Sequence, residues 1–165
     1  MVLFRATLIF ISYFRFLIGT FMQPVYIITT AHPLYAQVID LRQRVLRAPL
    51  GLDIRNDDLN AETEQLIFIY EEAGTVLGCV LLQHYDAETF KLRQMAVDQG
   101  MQGKGIGAEL INAADVYAVQ VGKHKMLLHA REVAIPFYQK LGYEVTGPEF
   151  TEVGIPHRKM EKLLV

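Results

Sequence analysis

Cysteine is almost absent from this chain of 165 residues, which has a single one, Cys79. One cysteine excludes an internal disulfide and is typical of proteins that work in a reducing cytosol. Cys79 lies inside an apolar run, so we expect a buried core thiol and not a nucleophile. With one cysteine and five scattered histidines, no metal-ligand pattern is present in the sequence. We therefore predict a cytoplasmic protein that uses no metal.

A strong charge of either sign is also missing. The formal net charge is −2, and no basic stripe runs along any part of the sequence. Binding to nucleic acid depends mainly on lysines and arginines that neutralise phosphates, so this class of partner is excluded. The length, with 52% hydrophobic residues, is enough for one domain with its own core.

A glycine-rich turn at residues 102–107 connects an extended run with a helical pattern. Gly105 and Gly107 lie where that helix begins, and each costs about 1 kcal/mol relative to alanine, so they need a physical reason. Without Cβ atoms, the first N–H groups of the helix can approach a bulky anion, which the helix dipole favours. The P-loop pattern fails because Lys104 precedes a glycine, and the dinucleotide pattern fails on glycine spacing. We predict a phosphate or pyrophosphate site, with a ligand-free tight turn as the alternative.

Two motifs resemble the GNAT superfamily of N-acetyltransferases. The turn reads Gln102-x-x-Gly105-x-Gly107, which is similar to the Q/R-x-x-G-x-G/A signature of that superfamily. A second stretch resembles its A-x-x-F-Y-x-x-L-G-[FY] segment, here Ala134, Phe137, Tyr138, Leu141, Gly142 and Tyr143. Residues 154–160 resemble the Gly-Ile-Pro-His terminal strand of a group of small bacterial acetyltransferases. The resemblance covers the chain from about residue 25 to the C-terminus.

The resemblance implies an α/β, single-domain GNAT fold with a mixed central sheet of about six to seven strands flanked by about four helices. It also implies an N-acetyltransferase that moves an acetyl group from acetyl-CoA, its co-substrate, to a primary amine by direct transfer. The acceptor would be a small-molecule or peptide amine, and a homodimer is left open. Two alternatives remain: a non-catalytic acyl-CoA-binding sensor and a membrane-attached protein.

The membrane alternative depends only on residues 1–21, an apolar N-terminal extension. Its length approaches a membrane span, but Arg15 would then lie deep in the bilayer at a cost of about 2.5–3.5 kcal/mol. A signal peptide would need a small-residue cleavage site, which is missing. Acetyltransferases of the resembled kind usually begin just before their first strand, where Met22 lies, so we favour an upstream extension, for which a mis-called start codon is one explanation. The acetyltransferase domain is then residues 22–165, and for a translated extension a helix packed on the domain and a membrane anchor both stay open.

Periodicity and turn residues predict the order of elements. The predicted strands are 25–30, 66–70, 76–85, 90–97, 125–130, 143–146 and 156–164. The predicted helices are 33–47, one from the glycine turn to residue 122, and 133–141. The strand–helix–strand unit implies a parallel pair, and an early hairpin, with a bulge at Gly78, implies antiparallel pairing. The acidic segment 51–64 is interpreted as a solvated loop, with a segment that attracts a cationic amine as the alternative.

The resemblance also assigns residues to the site. Backbone groups of the strand and the turn would bind the cofactor, at Met95, Ala96, Val97, Gln102, Gly103, Lys104, Gly105, Ile106 and Gly107. Tyr138 matches the general-acid tyrosine of the superfamily, and a core aromatic is the alternative for it. A phenol with a pKa of about 10 stays protonated at neutral pH and can donate to a forming thiolate.

The general base is left open among four candidates near strand ends or on late strands. They are His157, His129, His84 and Glu132. An amine with a pKa of about 10 must lose a proton before it attacks, directly or through water. His157 is favoured because the terminal strand often borders the acceptor pocket in this superfamily, and a structural histidine is the alternative.

Overall fold

A computed structural model describes residues 24–164. The apolar extension predicted at residues 1–21 lies outside the described residues, so the predictions about it stay predictions. Within 24–164, no helix is long and apolar enough to cross a membrane. The strands and helices, in chain order, are β1 (Val25–Ile28), α1 (Tyr35–Arg42), β2 (Leu66–Glu72), β3 (Thr75–His84), β4 (Thr89–Val97), α2 (Ile106–Gln120), β5 (Lys125–Arg131), α3 (Ile135–Lys140), β6 (Glu144–Glu152) and β7 (Ile155–Leu163).

The strands of the described chain form one seven-stranded sheet in the order β1-β2-β3-β4-β5-β7-β6. β4 and β5 are parallel, as the crossover through α2 requires, and all other neighbouring pairs are antiparallel. The register between β2 and β3 shifts after Tyr70, which pairs with Gly78, so the bulge predicted there is present. The predicted mixed α/β fold is confirmed.

The two faces of the sheet carry different layers. α2 and α3 cover one face, where Leu110, Leu128 and Tyr138 belong to the larger core cluster. α1 packs on the other face against β3 and β4, where Val38 and Leu41 belong to a second cluster. Because side chains alternate along a strand, each strand divides its residues between these two layers.

Gly78 lets α2 lie very close to β3. A Cβ atom added at Gly78 would lie 2.8 Å from Ile106 Cγ2 and 2.9 Å from Leu110 Cδ1. Carbon atoms pack at about 3.5–4.0 Å, so a side chain here would push the helix away. The close contact sets the position of the N-terminus of α2 relative to the strands that it follows.

Two predicted elements differ from the observed ones. The helix predicted at 33–47 is a regular α-helix only in α1. Gln43–Arg47 then form a π-helical turn that leads into a short 3-10 helix, Ala48–Leu50, because Pro49 has no N–H with which to continue an α-helix. β6 is longer than the predicted strand 143–146 because it continues to Glu152 along β7. A register shift between Val145 and Glu149 accommodates the glycine and proline that made this stretch look like a loop.

The acidic segment 51–64 is not simply a solvated loop. Glu62 is only 4% exposed and accepts hydrogen bonds from both terminal nitrogens of Arg42, at 2.7 and 2.8 Å. Asp57 forms an ion pair with Arg47 at 2.6 Å. The prediction of a solvated loop is therefore wrong for Glu62, because a buried guanidinium requires a buried carboxylate beside it.

Candidate active site

β4 and β5 separate part-way along their length and open a gap in the sheet. Their pairing ends at Leu92 with Leu128, although β4 continues to Val97 and β5 to Arg131. The register of β4 with β3 is interrupted at the same place, and Gln94 adopts a positive φ of 54°, which is uncommon for a non-glycine residue. Such a bulge bends a strand. Backbone groups of β4 beyond the bulge therefore face the gap.

A cavity of about 770 Å³ occupies this gap. Its lining includes eight of the nine residues predicted to bind the cofactor: Met95, Ala96, Val97, Gln102, Gly103, Gly105, Ile106 and Gly107. The ninth, Lys104, has an exposed side chain whose Nζ lies 3.4 Å from Met101 Sδ. The structure thus brings the strand and the turn together around one cavity and leaves the lysine side chain outside.

The N-terminus of α2 presents backbone N–H groups to this cavity. The first backbone hydrogen bond of the helix runs from Glu109 N to Gly105 O, at 3.0 Å. The amides of Ile106, Gly107 and Ala108 therefore have no backbone acceptor within the described part of the chain. With the positive end of the helix dipole behind them, these amides form a site that suits an anion.

Glycines and one aspartate shape the turn before α2. Gly103 and Gly105 have φ values of 79° and 88°, a left-handed conformation in which a residue with a Cβ is strained. Asp98 accepts hydrogen bonds from Arg44 Nη1 at 2.9 Å and from Gly100 N at 3.0 Å. The bond from Arg44, followed by that from Gly100, holds the pKa of Asp98 below its usual value. The turn is therefore held at its start by a charged carboxylate.

Tyr138 projects from α3 and lines the cavity. It is 9% exposed, and its ring centroid lies 5.0 Å from that of Phe137 and 6.0 Å from that of Tyr143, both edge to face. Within residues 24–164, no group accepts a hydrogen bond from its hydroxyl. Burial raises the pKa of Tyr138 to about 12, and the charge of Arg131 acts in the opposite direction. The phenol is therefore protonated at neutral pH and able to donate.

His157 lines the cavity from β7 and is 6% exposed. Its Nδ1 lies 2.9 Å from Ile155 O. A carbonyl oxygen only accepts, so Nδ1 carries the proton, and Nε2 of the neutral ring is an acceptor. The ring of Phe150 lies roughly parallel to the imidazole, with centroids 6.1 Å apart and an angle of 27° between the ring planes.

His129 on β5 forms a small charged cluster with Glu152 and Lys91. Its Nδ1 lies 2.8 Å from Glu152 Oε2 and 3.3 Å from Lys91 Nζ. A carboxylate only accepts, so Nδ1–H donates to Glu152, and the lysine is a neighbour and not a donor to the ring. Burial alone would raise the pKa of Glu152, but the bond from His129 and nearby charges lower it. Burial lowers the pKa of Lys91.

The other two base candidates lie away from the cavity. His84 is exposed at the end of β3, with its ring centroid 4.6 Å from that of Phe90. Glu132 is exposed just after β5. Neither residue lines the cavity, whereas His129 and His157 both do.

Sequence reasoning missed the charged residues of the lining. These are Arg47, Lys91, Arg93, Arg131 and Glu152. The alternation of β4 was a usable signal, because the polar Lys91 and Arg93 alternate with the apolar Phe90 and Leu92. That these five residues line one cavity depends on strand order, which no local pattern encodes.

Comparison with known proteins identifies the domain. The profile of the acetyltransferase (GNAT) domain matches residues 51–164. That segment contains every strand from β2 to β7, the glycine turn and Tyr138.

Two curated relatives come from Bacillus subtilis (strain 168). The uncharacterized protein YyaT is 27% identical over 106 residues, which are 64% of this chain and 70% of YyaT. The uncharacterized N-acetyltransferase YjcF is 36% identical over 73 residues, which are 44% of this chain and 52% of YjcF. The chain thus spans between about half and seven-tenths of the length of these relatives.

A solved structure has the same fold. A GNAT family acetyltransferase from Elizabethkingia anophelis, with acetyl-CoA bound, superimposes with a TM-score of 0.65 at 19% sequence identity. The match covers 86% of this chain and 99% of that protein. At this identity the likeness shows a shared fold.

Proposed function

The chain belongs to the GNAT family of acetyltransferases, and on this premise we propose that it moves an acetyl group from acetyl-CoA to a primary amine by direct transfer. The observation that carries the proposal is the gap between β4 and β5. A single cavity there is lined by the turn before α2, by Tyr138 and by His157. An anion site, a proton donor and a proton acceptor thus border one space.

Acetyl-CoA supplies an activated acetyl thioester. Its pyrophosphate would be held by the amides of Ile106, Gly107 and Ala108, and its pantetheine arm by the backbone of residues 95–97. Gly107 has a packing role of its own, because a Cβ added there would lie 3.1 Å from Phe137 Cζ and 3.4 Å from Met95 Cε.

Tyr138 is the proposed general acid. As the amine nitrogen bonds to the acetyl carbon and the carbon–sulfur bond breaks, the Tyr138 hydroxyl gives its proton to the departing sulfur. A pKa of about 12 keeps this proton in place at neutral pH. Since the hydroxyl has no acceptor within residues 24–164, donation breaks no bond to the protein.

His157 is the base that we favour for the amine. A primary amine is mostly protonated at neutral pH, and Nε2 of the neutral His157 ring can accept its proton. His129 is the second candidate: its Nδ1–H donates to Glu152 at 2.8 Å, which also leaves Nε2 as an acceptor in the neutral ring, but its side chain is more exposed than that of His157. His84 and Glu132 do not line the cavity, so neither is proposed as the base.

The test uses the full chain in two steps. Calorimetric titration with acetyl-CoA measures binding, and a thiol-release assay over a panel of amines measures transfer. Binding together with thiol release that depends on an amine would support the proposal. Binding without turnover on any amine would favour the acyl-CoA sensor, and no binding would refute the role given to the turn.

The Gly105→Glu variant tests the turn directly, because a carboxylate would enter the space proposed for the pyrophosphate. We expect acetyl-CoA affinity to fall at least a hundredfold. Gly74→Glu is a matched control: Gly74 also has a positive φ, of 81°, and like Gly105 has no heavy atom within 4 Å of an added Cβ. Equal effects of the two substitutions on affinity would mean that backbone strain, and not a lost anion site, explains the result.

A further inference from the structure

One wall of the cavity carries most of its charge. Arg131 pairs with His157 across β5 and β7, and paired residues direct their side chains to the same face of a sheet. His129, two residues before Arg131, shares that face. Lys91 pairs with Leu127, which is on the same face of β5 as His129, so it also belongs here, as does Arg93. This charged wall lies on the face opposite α2 and α3.

The charges of the lining are strongly one-sided. Its lysine and arginine side chains are Arg47, Lys91, Arg93 and Arg131, and its one carboxylate is Glu152. That carboxylate already accepts a hydrogen bond from Nδ1–H of His129. A surface of this kind attracts anionic groups and repels cationic ones.

The acidic segment 51–64 does not reverse this balance. Asp57 is engaged by Arg47 at 2.6 Å, and Glu62 by Arg42 at 2.7 Å. Neither carboxylate lines the cavity. The hypothesis that this segment attracts a cationic amine therefore finds no support, because the half-buried Asp57 and the buried Glu62 are both paired with arginines of the same chain.

Arg131 and Arg93 are the lining arginines with the most unused donors, since within residues 24–164 each makes one hydrogen bond, that of Arg93 running from Nη1 to Gln83 Oε1 at 3.3 Å. Of the two, Arg131 lies beside His157 in the pairing of β5 with β7. Its Nη2 donates to Leu46 O at 3.3 Å, and within residues 24–164 no carboxylate forms an ion pair with it. A guanidinium has five N–H groups in a planar fork that matches a carboxylate in two parallel bonds. Arg47, by contrast, is engaged by both Asp57 and Gln94. Burial, followed by the charge of Arg47, lowers the pKa of Arg131, and a bound anion would relieve both effects.

We propose that the acceptor is a small amine that also bears a carboxylate, such as a free amino acid, and that Arg131 binds this carboxylate. The proposal rests on the proposed acetyl transfer and names its substrate class. Arg131 and Tyr138 both line the cavity, and the positive charge of Arg131 acts to lower the pKa of Tyr138. A carboxylate held by Arg131 would keep the amine of the same molecule close to the proposed acid.

The experiment compares matched acceptors on the full chain. Each of the common amino acids is assayed beside its carboxamide and its decarboxylated amine, for example phenylalanine, phenylalaninamide and phenethylamine. The three share the amine and the side chain and differ in the group that Arg131 would bind, and kcat/KM is compared after correction for the fraction of neutral amine of each compound at the assay pH. We expect kcat/KM for the preferred amino acid to exceed that for its two partners at least tenfold, mainly through KM.

The Arg131→Gln variant tests the residue. In this variant, kcat/KM for the amino acid should lie within threefold of kcat/KM for its carboxamide. Arg131→Lys should restore part of the preference for the amino acid. Arg55→Gln is the matched control, since Arg55 is exposed and within residues 24–164 pairs only with Asp53, and it should leave the ratio unchanged. Affinity for acetyl-CoA should change less than twofold in Arg131→Gln.

Four outcomes would overturn the proposal. In the first, the preferred acceptor is a carboxamide, a polyamine or a phosphate-bearing amine, and the proposed acetyl transfer still stands. In the second, Arg131→Gln weakens acetyl-CoA binding tenfold, which would mean that this arginine binds acetyl-CoA and not the acceptor. In the third, Arg131→Gln leaves the preference intact. In the fourth, no acceptor is acetylated, and the substrate class fails together with the proposed transfer.

Discussion

Replacing Tyr138 with phenylalanine removes one oxygen atom from the side chain proposed as the general acid. The structure predicts a small effect on stability, because this hydroxyl has no acceptor within residues 24–164 and the ring contacts with Phe137 and Tyr143 stay. We expect the free energy of unfolding to change by about 0.5 kcal/mol or less. For a chain of this size, that is a shift of about 1–2 °C in Tm.

The expected effect on turnover is much larger. General acid catalysis contributes about 10²–10⁴ in rate, which corresponds to about 3–5 kcal/mol of transition-state stabilisation. Tyr138 has a pKa of about 12 and donates throughout the usual assay range. A thiol has a pKa of about 8.5, so the sulfur needs this proton most below that pH. We therefore expect kcat to fall about a hundredfold or more near pH 7, with a smaller loss above about pH 9.

The assay is thiol release at saturating acetyl-CoA over this pH range, with calorimetric affinity for acetyl-CoA measured on both proteins. Tyr117→Phe is the matched control. Tyr117 is also partly buried, burial also raises the pKa of its phenol, and its ring packs against Phe68 and Phe90 and not in the cavity. A Tyr138→Phe variant with kcat within threefold of wild type, or with a loss that does not vary with pH, would refute the role of Tyr138.

Two further predictions concern the scaffold. In Gly78→Ala, the new Cβ would lie less than 3.0 Å from Ile106 and Leu110, so we expect the free energy of unfolding to fall by about 1–3 kcal/mol and acetyl-CoA to bind more weakly. Gly147→Ala is the control, because a Cβ there would lie 3.6 Å from its nearest atom and should change neither quantity. Equal shifts of Tm in the two variants would contradict this account. Burial raises the pKa of Cys79 to about 12, so Ellman's reagent should label it only in denaturant, and rapid labelling of the native protein would show an accessible thiol.

The positions of the strands and helices were largely predictable because their signals are local. Two of the three predicted helices begin and end within about two residues of α2 and α3, since Gly105, Gly122 and Gly142 mark helix ends with positive φ values. The prediction failed where neighbours overrode local preference. β6 continues through Pro148 because β7 pairs beside it.

The site was predictable in part for the same reason. The turn at residues 102–107 carries its chemistry in backbone amides, and the order of glycines along the chain is enough to locate them. The base candidates show the limit. His84 and His157 look alike as isolated histidines in strands, yet only His157 lines the cavity.

The sequence by itself determined the class of protein and the position of the glycine-rich turn before α2, because contiguous motifs encode both. The tertiary structure alone decided which distant residues share the cavity. Arg131 and His157 meet only because β7 enters the sheet beside β5. The carboxylate of Glu62 is removed from the surface only because Arg42, 20 residues away, is buried against it. These contacts between residues that are distant in sequence depend on strand order and on the pairing of buried charges, which are properties of the folded chain as a whole.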